Sequence, residues 1–186
     1  HGGKKAMQVA RENSIGANAY DYAYVKLPAG KYTYSAWIKT EQFQGANVWL
    51  NVDVFSTDVL GKQAQLNTVS TECPPLQKVE NKIFYNLNGE DKFSTEDWKQ
   101  YTTEFTLDTE AVVRINFGVQ YSWGTILASD FAVTAVADEP TDDGNLLSAG
   151  LVGIGNRRDN GDGFTVQDLI DNDQWYGWGD RSTVEA

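Results

Sequence analysis

Aromatic and polar side chains alternate with apolar ones along stretches of this sequence that have the pattern of β-strands. In residues 47–55 (NVWLNVDVF) every second residue is Val or Leu, so Trp49, Asn51 and Asp53 share the face away from the core. The same alternation places further residues on outer faces: Tyr22, Tyr24, Trp37, Arg114, Asn116 and Gln120. Flat rings stack on the apolar C–H face of a pyranose, and amide, carboxylate and guanidinium groups bond its hydroxyls in fixed directions. Together these residues predict a carbohydrate-binding surface.

Two alternatives for the same outer face remain open. The rings would form a second small core if the segment between the strands, residues 56–97, folded over them. They would form an interface if another protein covered them. Solvent exposure of Trp37 or Trp49 separates the alternatives, because a ring that stacks on a sugar has to reach the solvent.

Residues for catalysis are scarce. The single histidine is His1, so Ser–His and Cys–His nucleophile pairs lack an internal base. The 26 acidic residues could supply a carboxylate pair for glycoside hydrolysis, but no motif singles one out. We therefore expect a binding or structural protein rather than an enzyme.

The net charge and the cysteine content limit which partners and which kinds of structural site the chain can have. A formal net charge of −11 argues against nucleic acid and against an anionic membrane surface, and it favours a neutral or cationic partner. Cys73 is the single cysteine, which excludes an intrachain disulfide and a structural zinc site. No apolar run reaches the length of a membrane span, about 18 residues. We expect a mature or excised fragment whose targeting signal is not visible.

Period-two alternation dominates the first 137 residues, and helical periodicity is scarce. Strands are predicted over residues 6–12, 20–27, 31–39, 47–55, 98–107, 111–121 and 125–136. Turn residues at 28–30 and 108–110 predict two hairpins, each joining the strands on either side. The alternation in 111–121 also places Tyr121 in the core. Short strands at this spacing predict an all-β sandwich.

Three segments lie outside these strands. Residues 56–97 are too long for a structureless insert in a compact domain, so we expect an extra hairpin or a loop folded over one sheet. Residues 138–144 have the composition of an acidic linker. Residues 145–186 are rich in Gly and Asp, with one helical turn expected at Val166 to Ile170.

Residues 1–137 resemble the family 4, 9 and 22 group of carbohydrate-binding modules. The segments that carry the resemblance are HGGKKAMQV, VKLPAGKYTYSAWIKTE, DWKQYTTEFTL and GTILASDFAV, in this order. The resemblance implies a jelly-roll β-sandwich of two antiparallel sheets. It also implies an extracellular, secreted or cell-surface protein that binds polysaccharide or oligosaccharide without catalysis. The alternative is a structural repeat of a surface stalk, adhesin or filament with no sugar ligand, which assembles by strand exchange.

The resemblance further implies a structural calcium ion near the first and last strands. Asp130 matches the ligand position of the last strand, and the backbone carbonyls around Gly2 to Lys5 match the loop that usually contributes. Residues 158–169 also resemble an EF-hand loop, in which Asn160, Asp162 and Gly163 fit. Because that loop needs an acid at both ends and lacks them here, a Gly-Asp turn is the favoured interpretation.

The C-terminal segment resembles the opening strand that members of this group have before the HGG motif. Asn145 to Ser148 and Trp175 to Trp178 carry this likeness. Three interpretations stay open: residues 145–186 begin the next module of an array, complete the sandwich of their own chain, or complete a neighbouring chain. A segment of this length cannot bury a sufficient core alone, so we expect it to lie as strand and loop against a sandwich.

Overall fold

The computed structural model describes residues 2, 6–11, 18–64, 66–85, 94–136, 146, 153–154, 164–171, 175–178 and 182–185. Its strands are β1 (Ala6–Arg11), β2 (Asn18–Leu27), β3 (Gly30–Phe55), β4 (Gln77–Val79), β5 (Lys82–Tyr85), β6 (Ser94–Leu107), β7 (Ala111–Ala135), β8 (Gly153–Ile154), β9 (Trp175–Trp178) and β10 (Ser182–Glu185). A 3₁₀ turn (Thr57–Val59) and the helices α1 (Leu66–Glu72) and α2 (Val166–Asp171) complete the described elements. The all-β prediction is confirmed.

Two long strands, β3 and β7, organise the sheet because each is bent and serves two halves of it. They pair antiparallel with each other along most of their length. In the first half, residues 30–43 of β3 pair with β6, and residues 124–129 of β7 pair with β1. In the second half, β4 and β5 flank β3, and β2 flanks β7. In the described part of the chain the strands therefore form one connected, curled sheet.

The bends lie where single residues leave the extended conformation. Gln42 of β3 has a φ of 45°, and Gly124 of β7 has a φ of 79°. A Cβ atom at Gly124 would lie 1.8 Å from the carbonyl oxygen of Gln42, so only glycine allows the two strands to cross here. Tyr121, with a φ of 51°, reverses the alternation of β7 and leaves its side chain 43% exposed. The prediction that Tyr121 belongs to the core is wrong for this reason.

The hydrophobic core lies between the two halves of the curled sheet. The Phe117 ring, from one half of β7, meets the Phe131 ring, from the other half, with centroids 5.9 Å apart. Tyr34 stacks on Phe131 from β3. The Val and Leu residues that alternate in 47–55 are all buried here, as predicted. Each buried side chain of this size stabilises the fold by roughly 1.5–3 kcal/mol.

Both predicted hairpins are wrong. The turn at 28–29 is present, and the Tyr32 hydroxyl donates a hydrogen bond of 2.8 Å to the carbonyl oxygen of Pro28. The strands on either side of it do not pair with each other, because β2 pairs with β7 and β9. The turn at 108–110 likewise joins β6, which pairs with β3, to β7. Turn residues report a local reversal, whereas the partner of a strand is set by contacts distant in sequence.

The described parts of residues 56–97 fold over one face of the sheet and also extend its edge. The 3₁₀ turn and α1 lie on the outer face of the second half, as one of the two expectations had it. The extra hairpin is not found in the described residues, since β4 and β5 each pair with β3. They run as one interrupted strand along its edge.

The described parts of the C-terminal segment lie against the sheet of their own chain. Strand β9 pairs with β2 over three residues, and β10 pairs with β1 over four. Helix α2 begins at Val166, as expected, and packs on the second half of the sheet. Pairing with a following module or a neighbouring chain stays a prediction.

Candidate functional site

The outer face of the second half carries a half-buried indole ring that lies over the backbone. Trp49 of β3 is paired with Gly118 of β7. A Cβ atom at Gly118 would lie 2.1 Å from the indole carbon Cζ2, so the ring occupies the space of the missing side chain. An isolated glycine inside a strand marks such a close approach. The indole therefore covers the backbone at Gly118 and keeps partial solvent access.

A chain of hydrogen bonds fixes the orientation of this ring. Trp49 Nε1 donates to Asn116 Oδ1 at 2.9 Å, and Asn116 Nδ2 lies 3.5 Å from Asp53 Oδ2. Arg114 donates to the same Asp53 oxygen from Nε at 3.1 Å and from Nη2 at 2.7 Å. Arg114 Nη2 also donates to the Ser70 hydroxyl at 3.1 Å, which ties the network to α1.

The ion pair at the base of this network is buried. The side chains of Arg114 and Asp53 are 5% and 11% exposed, and the guanidinium lies 5.1 Å from the centroid of the Phe55 ring. Burial alone would lower the pKa of Arg114, but Tyr24 and Asp53 outweigh it and raise the pKa. Arg114 is thus held charged, and removal of either partner would leave a charge without compensation in the interior.

Polar and aromatic groups surround the indole toward the open end of the face. Asn47 Nδ2 donates to Gln120 Oε1 at 3.1 Å. The half-buried ring of Tyr20 lies 6.3 Å from the Trp49 ring, on the other side of Gly118. Burial raises the pKa of Tyr20, and the charge of Arg114 partly offsets this. The Tyr20 hydroxyl therefore stays neutral and is able to donate a hydrogen bond.

Asn51, one step along β3 from Trp49 on the same face, is also held in place. Its Oδ1 accepts a hydrogen bond of 3.1 Å from the backbone N–H of Asn81, and its side chain is half-buried. The register pairs Asn51 with Asn116 across β7. The predicted residues Trp49, Asn51, Asn116 and Gln120 therefore lie together on one surface, which we call the open platform together with Tyr20 and Asn47.

The opposite end of the same face is covered. Tyr22, Tyr24 and Phe55 belong to a second hydrophobic core with Val59 and Val69 from the segment after β3 and with Val166 and Leu169 of α2. The Tyr22 hydroxyl donates a hydrogen bond of 2.6 Å to the carbonyl oxygen of Ala64.

The burial of this end corrects the sequence-based site. Five of the residues expected on an exposed surface are buried, with exposed fractions of 2% for Tyr22, 4% for Tyr24, 8% for Asp53, 4% for Arg114 and 8% for Asn116. These residues therefore follow the alternative prediction, in which the 56–97 segment covers this part of the outer face. Alternation separates the two faces of a strand, but it carries no information on whether a distant segment covers the outer one.

Trp37 lies elsewhere. It is half-buried on the outer face of the first half, where the register places it between Gln100 of β6 and Ser129 of β7. The structure therefore does not bring Trp37 together with Trp49. Each ring has solvent access, but they belong to different surfaces.

The predicted calcium site is only partly within the described residues. Asp130 lies in an irregular part of β7 with a φ of 53°, and Gly2 is described, whereas residues 3–5 are not. Among the residues that the structure describes, no three His, Cys, Asp or Glu side chains form a group able to hold a metal ion. Calcium at Asp130 stays a prediction.

The first half of the EF-hand-like loop, residues 158–163 with Asn160, Asp162 and Gly163, lies outside the described residues. Asp168 instead caps α2. Its Oδ2 accepts hydrogen bonds from the backbone N–H and the hydroxyl of Thr165, at 2.8 Å and 2.7 Å, and these bonds lower its pKa. The Thr165 hydroxyl in turn accepts from the Asp168 N–H, which completes a capping box.

No protein-family model and no curated protein matches the sequence significantly. Within the described part of the chain, no helix is long and apolar enough to cross a membrane.

Proposed function

We propose that this chain is a non-catalytic carbohydrate-binding module that holds a neutral polysaccharide or oligosaccharide on the open platform. The observation that carries the proposal is the half-buried Trp49 indole, which lies over the backbone of Gly118 and whose N–H is held by Asn116. A fixed flat ring loses little conformational entropy when it stacks on a sugar. The amides of Asn47, Asn51 and Gln120 supply hydroxyl recognition without charge.

The charge distribution favours an uncharged glycan. The described polar groups of the open platform are amides and a phenol, and the whole chain has a formal net charge of −11. A polyanionic glycan would meet a repulsive field at low salt. We therefore propose neutral chains as ligands, with an extracellular location and a structural calcium ion as further parts of the same proposal.

The architecture proposed for the module is a two-sheet jelly-roll sandwich. The bends at Gln42 and Gly124 divide β3 and β7 between two halves that share one core. Halves that face each other across such a core correspond to the two sheets of a sandwich.

The test compares two tryptophans with different surroundings. Trp49→Ala is expected to weaken binding to soluble neutral polysaccharides by about tenfold or more in affinity gel electrophoresis and calorimetry, since about 1.4 kcal/mol corresponds to a factor of ten. Trp37→Ala, on the first half of the sheet, is the matched control and is expected to bind like the wild type. Both variants are checked for unchanged melting temperature. Equal loss in both variants, or none in Trp49→Ala across a glycan array, contradicts the proposal.

A second candidate function, a structural repeat that assembles by strand exchange, is favoured by one observation. Strands β9 and β10 are short and are added to β2 and β1. The same added strands could come from a neighbouring copy, because strand addition needs only free backbone groups.

Disulfide trapping distinguishes exchange from pairing within one chain. Ala6 and Glu185 are direct partners, so cysteines at both positions, in a Cys73→Ser background, would be oxidised to a disulfide. Cross-linked monomers on a non-reducing gel are expected for the carbohydrate-binding module. Cross-linked dimers and longer ladders would support exchange between copies.

A further inference from the structure

A carboxyl group that has no hydrogen-bond partner among the described residues lies inside the core. Asp21 is on the inner face of β2 and is 1% exposed. Within the part of the chain that the structure describes, neither of its carboxylate oxygens has a hydrogen-bond partner. An ionised carboxylate in such a place would lose its hydration without compensation. The side chain is therefore expected to be neutral in the folded state.

The described residues that are placed next to Asp21 provide no opposite charge. Phe117 faces it from β7, and Gly177 is its partner in β9. Tyr34 of β3 is a titratable group near Asp21. Burial and, to a smaller extent, the Asp21 carboxylate raise the pKa of Tyr34 well above its usual value. The Tyr34 hydroxyl is fully buried and also without a partner among the described residues. Arg114, the neighbouring cation on β7, lies on the outer face and is engaged by Asp53.

The position of Asp21 in the sheet links its charge to the C-terminal segment. Strand β9 is held on β2 by three residue pairs, of which Asp21 and Gly177 form the central one. Release of so short a strand breaks few hydrogen bonds and opens the edge of β2 to water. Because Asp21 forms the central pair with this strand, hydration of its carboxyl group is expected to accompany release of β9 from β2.

We propose that Asp21 is a pH-sensitive latch that holds strand β9 on β2 while its carboxyl group is protonated and releases it on ionisation. The flanking pair joins Tyr20 to Trp178, so release also frees the Tyr20 edge of the open platform. The consequence for glycan binding rests on the proposed function, whereas the latch itself does not.

The direction of the pH effect follows from the two states of the carboxyl group. Burial raises the pKa of Asp21 from 3.8 to about 7 when the strand is in place. With β9 released, the hydrated carboxyl returns toward its ordinary pKa, about 3.9. The closed state thus binds more protons between these values. The closed state is favoured at low pH, loses stability as pH rises through this window, and changes no further above about pH 7.

The test measures backbone hydrogen exchange of β9 in the intact chain without any sugar. After correction for intrinsic exchange, protection of residues 175–178 is expected to fall up to about a hundredfold between about pH 5 and about pH 8. In Asp21→Asn, which keeps the shape but cannot ionise, protection is expected to be equal at both pH values. Asp108→Asn, at an exposed turn, is the matched control and is expected to keep the pH response.

Two results would overturn the latch. One is equal protection of β9 in the wild type at both pH values, and the other is an unchanged pH response in Asp21→Asn. If the latch is confirmed while Trp49→Ala binds glycans like the wild type, only the proposed function fails. If Trp49→Ala loses binding and β9 shows no pH response, only the latch fails.

Discussion

The two ends of one sheet face differ in what lies on top of them. At the covered end, Tyr22, Tyr24 and Phe55 meet Val69 and Leu169 and form a second core. At the open platform, Trp49 and Tyr20 keep solvent access on the same strands and the same face. Residue types are similar at both ends. An aromatic residue on the outer face therefore becomes part of a core or of a binding surface according to what covers it, and not according to its own identity.

A polar network crosses the boundary between the two ends. It begins in the buried pair of Arg114 and Asp53 and ends at the Trp49 N–H. The covered end therefore supplies the rigid base for the open one. Substitutions along this network test whether the free energy of unfolding and the affinity for glycan change independently of each other.

The largest expected effect is that of Arg114→Ala. Removal of the guanidinium leaves the Asp53 carboxylate buried without its partner, which costs about 3–5 kcal/mol of unfolding free energy. Urea denaturation measures this loss of unfolding free energy. The double variant Arg114→Met, Asp53→Leu is the control and is expected to recover most of the loss. A single variant as stable as the wild type would mean that the pair is not buried in solution.

Leu169→Ala tests whether α2 covers the sheet. Leu169 is fully buried in the second core, so its truncation is expected to cost about 2–5 kcal/mol. Ile170→Ala, at a half-buried neighbour on the same helix, is expected to cost less. Thermal melts of the two variants provide the comparison. If both variants melt at the wild-type temperature, α2 does not cover the sheet, and the two ends of this face do not differ in burial.

Gly118→Ala tests whether glycan binding at the open platform depends on the placement of Trp49 over the backbone. The added methyl group overlaps the indole ring, so Trp49 has to leave its place over the backbone. Overpacking of this kind costs about 1–3 kcal/mol. The variant is expected to lose glycan binding as Trp49→Ala does, although the indole is still present. Retained binding would show that the flat placement of Trp49 is not what the ligand recognises.

Alternation predicted the inner and outer residues of β3 and β7 because the period of a strand is a local property. It grouped Trp49, Asn51, Asn116 and Gln120 correctly on one face. The bend at Tyr121 depends on one φ angle, and the partners of β2 and β6 depend on contacts distant in sequence, so neither was predictable from alternation. Gly118 did carry a signal, since glycine in a strand interior indicates a close contact.

The smallest expected effect is that of Asn116→Leu, which removes the acceptor of the Trp49 N–H while it keeps the volume. The lost hydrogen bond costs about 0.5–1.5 kcal/mol, since Trp49 is half-buried and water replaces part of the bond. Because the ring is then free to tilt, glycan affinity is expected to fall by more than stability does. Asn116→Gln is the control, and it restores an amide with a displaced acceptor. The intrinsic fluorescence of Trp37 and the other tryptophans obscures Trp49, so calorimetric affinity beside urea denaturation is the decisive pair of measurements. If glycan affinity falls only in proportion to the free energy of unfolding, the network serves only to stabilise the fold. The orientation of Trp49 by Asn116 then makes no separate contribution to binding.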